Sequence, residues 1–287
     1  MTGRIIRGVG GLYYVAASDH VYECSARGRF RKAKIVPTVG DFVEFTVLDE
    51  AAKKGALDKI EKRKNSLVRP RVTNIDTAVI TFAAASPDIN MDLLDRFLIL
   101  AETQNIPNIV ICINKSDLAD EDARNDFIRI YGSIYTVVYV SATESLGIDE
   151  LKKAVKGVTV FAGPSGVGKS SLINELIPHS NRQTGEISRK IERGKHTTRQ
   201  VELIHMEGDV YIVDSPGFTS LSLDFIDAGD IQHYFREFEP YIGKCYFTDC
   251  AHIAEPGCVV KEHIGEGISQ ERYDRFVYLY NELKQRR

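Results

Sequence analysis

One octapeptide limits the architecture more than anything else in the chain: Gly163-Pro164-Ser165-Gly166-Val167-Gly168-Lys169-Ser170, set between an apolar run at 158–162 and a helical stretch at 170–177 that includes Ser171. A buried strand, a glycine-rich turn and a helix in that order surround an anion with backbone N–H groups and a helix N-terminus. The lysine reaches the outer oxygens and the Ser170 hydroxyl is left for a divalent cation. Such a unit calls for a parallel α/β sheet. A glycine-rich turn of no function would not need this context.

Two further motifs follow apolar runs. Asn114-Lys115-Ser116-Asp117 comes after 109–113, and Asp214-Ser-Pro-Gly217 after 210–213. A carboxylate at Asp117 accepts from the N1–H and 2-amino groups of guanine, which adenine does not offer, and a site built on such bonds rejects the wrong base because a mismatch leaves a buried polar group unpaired. Asp214 suits a magnesium shell and the Gly217 N–H a terminal phosphate. The base motif precedes the phosphate loop, the reverse of the order in an ordinary small GTPase.

Taken together these residues resemble the translation-factor-related GTPases in circularly permuted order. The chain is similar over essentially its whole length to the RsgA-type (YjeQ/YloQ-like) family of small ribosomal subunit biogenesis GTPases. The resemblance implies a multidomain chain: an N-terminal all-β OB-fold barrel (1–66) that binds RNA, a central permuted α/β P-loop GTPase core (67–222), and a C-terminal, mostly helical zinc-binding domain (223–287). It also implies that Ser141-Ala142 forms a second base-contacting loop. The stretch 194–198 would be the first switch, with Thr197 or Thr198 joining Ser170 and Asp214 around Mg²⁺. Within its G-x-H-T-T pattern His196 is the candidate for positioning water, against a packing or phosphate-contacting role, while Lys169 stabilises the transferred phosphoryl group. GTP and GDP are the implied substrate and product. The small ribosomal subunit and its rRNA are the implied partner, with hydrolysis stimulated by the subunit and coupled to release. Phe218 stands where Ras-type enzymes carry the water-orienting Gln, so intrinsic turnover should be slow. The competing reading is a GTP-gated rRNA-binding module whose hydrolysis is incidental; a P-loop kinase is disfavoured because no acceptor site accompanies the base motifs.

The formal charge of −3 conceals an asymmetry. Residues 1–66 hold thirteen basic and eight acidic side chains, a net +5, which leaves −8 for the remainder. A single basic module points to a local polyanion contact. Within it, short alternating runs at 4–7, 12–16, 20–24, 41–47 and 56–60 suit a small barrel. The tract Arg27, Arg29, Phe30, Arg31, Lys32 and Lys34 reads as a cationic loop with one ring for base stacking, set against the plainer reading of a solvated hairpin. Residues 59–66 read as a strand end and linker.

Cys245-x4-Cys250-x-His252-x5-Cys258 forms a four-ligand set for one structural Zn²⁺, with no position left for a catalytic water. His263 is a rival for His252. Cys24 and Cys112 read as inert core residues. Tyr273, Phe276, Val277, Tyr280 and Leu283 share one helical face. No apolar run approaches the roughly 18–20 residues of a membrane span, so a cytoplasmic protein without membrane contact is expected, and, with nothing resembling a coiled coil, a monomer. Because the strand exit at Asp214 leads almost directly into the zinc module, GTP and GDP are expected to shift that module relative to the core.

Overall fold

The computed structural model describes residues 1–18, 20–68, 70–177, 201–214 and 222–286, with the Arg31 side chain outside the description. Alternation at the N-terminus closes into a barrel. Strands β1 (Thr2–Val9), β2 (Leu12–Ala17) and β3 (His20–Ala26) are followed by helix α1 (Gly28–Lys32), then β4 (Phe42–Asp49) and β5 (Lys54–Ile60). The spatial order is β1-β2-β3-β5-β4, with β4 antiparallel to β1 and β3 parallel to β5. That strand order and its one parallel pair make an OB-like barrel. Val43 and Phe45 point inward with Ile5, Val15, Tyr22 and Leu57, while Phe42, one residue before Val43 on the other face of the strand, is exposed. Burial also pushes the Cys24 thiol up to about 11, in keeping with an inert core cysteine.

The tract expected to be a linker is instead clamped. Asp41 is wholly buried and its carboxylate accepts from Arg63 through Nε (2.7 Å) and Nη2 (2.8 Å), from the Thr38 N–H (2.8 Å) and from the Thr73 hydroxyl (2.8 Å). The amide side chains of Asn65 and Asn74 add bonds to Ile75, Lys64 and Gly40. Gly40 sits at φ +93°, where a Cβ would lie 2.1 Å from the Thr73 carbonyl oxygen, so the backbone approach tolerates no side chain. Strands β6 (Ser66–Leu67) and β7 (Val72–Thr73) complete the junction. The reason the linker expectation fails is charge complementarity across 22 residues, invisible in a local window.

The second sheet has the order β10-β9-β8-β11-β13-β12. Its strands are β8 (Ile75–Ala83), β9 (Asn108–Asn114), β10 (Thr136–Tyr139), β11 (Val158–Ala162), β12 (Leu203–His205) and β13 (Tyr211–Val213). All neighbours are parallel except the edge pair β12/β13. β11 is buried at every residue, as a strand covered on both faces must be. Ala78, Ile80 and Phe82 of β8 face α2 (Met91–Thr103) and α3 (Glu121–Tyr131), while Val79 joins the opposite core with α4 (Ile148–Ala154) and α5 (Lys169–Leu176). The permutation is visible as topology: the chain enters at a central strand, builds outward through β9 and β10, then returns to place β11 beside β8.

The C-terminal unit packs 3₁₀ segments Ala228–Tyr234 and Arg236–Phe238 against a 16-residue helix, Gln270–Gln285, capped by the Ser269 hydroxyl. Phe235, Phe238 and Phe276 meet at centroid distances of 5.3 and 4.8 Å. The buried face is Arg272, Tyr273, Phe276, Leu279 and Leu283; Val277 and Tyr280, expected on it, pack at its edge. Arg272 and Asp95 of α2 are both fully buried and bonded at 2.6 Å, Arg272 also reaches Glu237 at 2.6 Å, and the Tyr131 hydroxyl donates to Asp95 at 2.7 Å. Arg275 adds a second cation on Asp95, and Arg96–Glu282 and Arg236–Glu102 flank the contact. The unit is thereby welded to α2 and α3.

Candidate functional site

Three loops gather at the C-terminal ends of adjacent parallel strands, the place where open α/β sheets bind ligands. The loop after β11 approaches β8 so closely that a Cβ on Gly163 (φ +140°) would lie 2.0 Å from the Thr81 carbonyl oxygen, and one on Gly168 (φ +88°) would lie 2.3 Å from Asn114 Nδ2. α5 starts at Lys169, directing its N-terminus at the loop. Lys169 folds back to donate to the carbonyls of Gly163 (2.9 Å) and Pro164. Burial holds its ammonium below the ordinary lysine value, so an anion in the loop would relieve an existing desolvation cost. Ser165, Gly166, Ser170 and Ser171 are exposed, whereas Val167 is buried and anchors the loop.

Asn114, at the end of β9 and nearly fully buried, ties the loops together. Its Nδ2 donates to the Val167 carbonyl at 2.8 Å and its Oδ1 accepts from the Ala142 N–H at 3.2 Å. Ser141, also buried, accepts the Glu144 N–H and exchanges a bond with Thr143. The Ser116 N–H donates to the Val140 carbonyl at 2.9 Å, binding the loops after β9 and β10 to one another. Lys115 adopts a left-handed backbone (φ +58°) and its Nζ donates to the Ser86 carbonyl, on the loop after β8. Asp117 stands exposed within the turn Ser116–Leu118. Asp214 lies at the end of β13, beside β11, with its N–H on the Glu202 carbonyl. Ser170 at the start of α5 and Asp214 at the end of the strand beside β11 are hard oxygen donors of the kind that Mg²⁺ takes. His196, Thr197, Thr198 and Gly217, and Phe218 with them, lie outside the described residues.

Cys245, Cys250, His252 and Cys258 converge, their ligand atoms all within 4.8 Å of one another. His252 Nδ1 stands 3.6, 3.5 and 3.3 Å from the three sulfurs in sequence order. A tetrahedral ion with Zn–S of about 2.3 Å and Zn–N of about 2.0 Å needs N···S separations of roughly 3.5 Å, so the residues fit zinc. Burial pushes the Cys250 thiol up to about 12 and raises Cys258, so without a cation the thiolates are costly. His263 is elsewhere engaged, stacked on Tyr241 at 4.3 Å with Nδ1 on the Val259 carbonyl.

The cationic segment departs from expectation. Residues 28–32 coil into α1 and Phe30 is only 6% exposed, packed into the core, so it does not present a stacking ring; this corrects the base-stacking role read from the sequence. Arg27 and Arg29 share Asp58 at 2.8 and 3.8 Å, and Lys32 and Lys34 are exposed. Sequence reasoning also missed Ser86 and Gln232, which act through a backbone carbonyl and a side-chain amide and carry no motif.

Against known proteins, the model for the RsgA GTPase matches residues 60–224 and that for the RsgA N-terminal domain residues 2–56. The chain is 48% identical to the small ribosomal subunit biogenesis GTPase RsgA of Alkaliphilus metalliredigens, covering 99% of this chain and 98% of that protein. Its counterpart from Agathobacter rectalis is 47% identical, covering 100% and 99%. Among solved structures, YjeQ from Thermotoga maritima superposes with a TM-score of 0.85 at 34% identity, covering 100% of this chain and 99% of that one. YloQ, described as a circularly permuted GTPase, gives a TM-score of 0.82 at 37% identity, covering 100% and 96%.

Proposed function

We propose, from the premise that this chain belongs to the RsgA family of GTPases and hydrolyses GTP, that its partner is the small ribosomal subunit, which stimulates hydrolysis and is released by it. The observation that carries the reading is the convergence of Asn114 on the phosphate loop and on Ala142. One buried amide ties base-side and phosphate-side loops together, in permuted order. Asp117 selects guanine, and Lys115, Ser116, Ser141 and Ala142 complete the base side. Residues 163–171 cradle the phosphates, with Lys169 countering charge on the transferred group and Gly217 on the γ-phosphate. Ser170, Asp214 and one of Thr197 and Thr198 would hold Mg²⁺, which when bound neutralises phosphate charge.

Units 1–66, 67–222 and 223–287 carry out RNA contact, hydrolysis and zinc-stabilised docking. Arg27, Arg29, Arg31, Lys32 and Lys34 supply phosphate attraction to rRNA. No helix among the described residues is long and apolar enough to cross a membrane, and a subunit-bound role places the protein in the cytoplasm. With Phe218 unable to orient water, His196 does so when the subunit is bound. His196→Ala should keep GTP affinity within about threefold yet lose the stimulated rate, since a positioned general base or orienter contributes about 10²–10⁴-fold. GTP turnover titrated with small subunits, large subunits and naked rRNA tests the whole reading: stimulation confined to small subunits supports it, and none with any of them favours a GTP-gated binding module.

A further inference from the structure

We infer that Gln232 is the positioning residue of the metal centre: it fixes His252 in the tautomer that presents Nδ1 to the cation, and so ties the metal loop to segment 228–234. The two ends of its amide have different partners. Nε2 donates to the Gly229 carbonyl at 2.8 Å, while Oε1 lies 2.7 Å from His252 Nε2. The reverse amide orientation would set two carbonyl-type oxygens against each other at the first contact, so the acceptor end must face the imidazole. An acceptor there requires Nε2 to carry the hydrogen, which leaves a lone pair on Nδ1, the atom facing the three sulfurs.

The histidine backbone is in the left-handed region (φ +62°), a conformation that persists only where its surroundings over-determine it. Those surroundings are present. The Glu255 carboxylate accepts the N–H groups of Ala251, Ile253 and Ala254, and the Tyr273 hydroxyl donates to the His252 carbonyl at 2.7 Å. Backbone and ring are thus fixed by different elements, and Gln232 is the ring's hydrogen-bond partner away from the metal. Gln232 belongs to the 3₁₀ segment Ala228–Tyr234, which packs on the C-terminal helix and on α2, so metal loading should be felt there.

The full-length zinc-loaded protein gives a test that needs no variant. Long-range ¹H–¹⁵N correlation should show His252 with Nε2 protonated and Nδ1 metal-bound; a protonated Nδ1 or a metal-bound Nε2 overturns the assignment. Zinc transfer to a chromophoric chelator should be about 10–100-fold faster in Gln232→Leu, the range for loss of an outer hydrogen-bond partner of a ligand. Gln232→Glu, which keeps the acceptor, should stay within about threefold of wild type. Equal loss in both variants would mean that packing and not the hydrogen bond matters, and an unchanged rate in Gln232→Leu would mean that neither does; each refutes the inference. Amide exchange over 228–234 should slow on zinc addition to the wild type and respond less in Gln232→Leu, and an equal response counts against the tie.

Discussion

Replacing Arg272 by Met should strongly destabilise the C-terminal unit. The guanidinium is fully buried, donates to Asp95 at 2.6 Å and to both oxygens of Glu237 at 2.6 and 3.2 Å, and stacks 4.4 Å from the Phe235 ring centroid. Loss of Arg272 affects its two partners unequally. Asp95 retains Arg275 and the Tyr131 hydroxyl, whereas both side-chain bonds of Glu237 among the described residues come from Arg272. Breaking a buried pair by removing one member costs about 3–5 kcal/mol, chiefly as an uncompensated buried charge. Met fills much of the volume, so the cavity contribution is small and the orphaned Glu237 carries most of the loss. Adding Glu237→Gln should therefore recover more than half of it, so the double variant is less destabilised than the sum of the singles by at least about 1.5 kcal/mol in a double-mutant cycle. At roughly 2–4 °C per kcal/mol for a chain of this size, the melting transition of the C-terminal unit falls by roughly 6–20 °C in the single variant. Limited proteolysis of the 223–286 region and denaturant midpoints of the four cycle members are the assays. A single variant within about 0.5 kcal/mol of wild type, or a double variant as damaged as the single, would refute the claim that an uncompensated charge is at stake.

Asp117→Asn should transfer preference from guanosine to xanthosine triphosphate, read by calorimetry; retained guanine selectivity would remove Asp117 from the base site. Lys169 titrates below 10.5 because of burial. A phosphate ligand favours its charged form and raises that value, so affinity is full below the free-state pKa and falls as pH climbs between the free and bound values. GDP affinity measured from about pH 8 to about pH 10 should fall more steeply in wild type than in Lys169→Met, a difference that cancels the titration of guanine itself. Distances from labels on the C-terminal helix to labels on α2 should agree within about 2 Å between GDP and a GTP analogue, because a swing would break a buried ion network costing several kcal/mol; a larger change would restore the mobile zinc module expected from chain order.

The parts of the molecule legible in the sequence are those whose chemistry is written over a few consecutive residues. Val158–Ala162 could only be a strand covered on both faces, and Gly163 and Gly168 are required by atoms of Thr81 and Asn114 that come too close for any side chain. Cys245 to Cys258 converge because one short loop holds all four ligands. Where the reading failed, the deciding partner was distant. Phe30 turned inward because the barrel core had room for a ring that composition assigned to solvent. Arg63 looked like one of several linker charges until Asp41, 22 residues earlier, was found buried beneath it. Arg272 lay on a face read as apolar, and its acceptor is 177 residues away.

These distant pairs alter what the permutation means. Chain order alone joins the strand exit at Asp214 to the zinc module, and suggests a lever. The buried pair Arg272–Asp95 instead fixes that module to α2, which leaves the sheet from β8, while Asp41 and Arg63 fix the barrel to the entry of the same strand. The zinc module is thus held by the half of the core that bears the base motif, whereas the barrel also touches the other half, where Arg7 pairs with Glu202 at 3.8 Å and Arg4 lies over the Tyr211 ring of β13. β8 is hydrogen-bonded to β11 along its length, and Asp76 at its start accepts the Val158 N–H at 3.0 Å. A partner gripping barrel and zinc module together would accordingly load the β8–β11 seam. Asn114 bonds across the top of that seam to the loops after β10 and β11, so such a load would bear on the separation of those two loops.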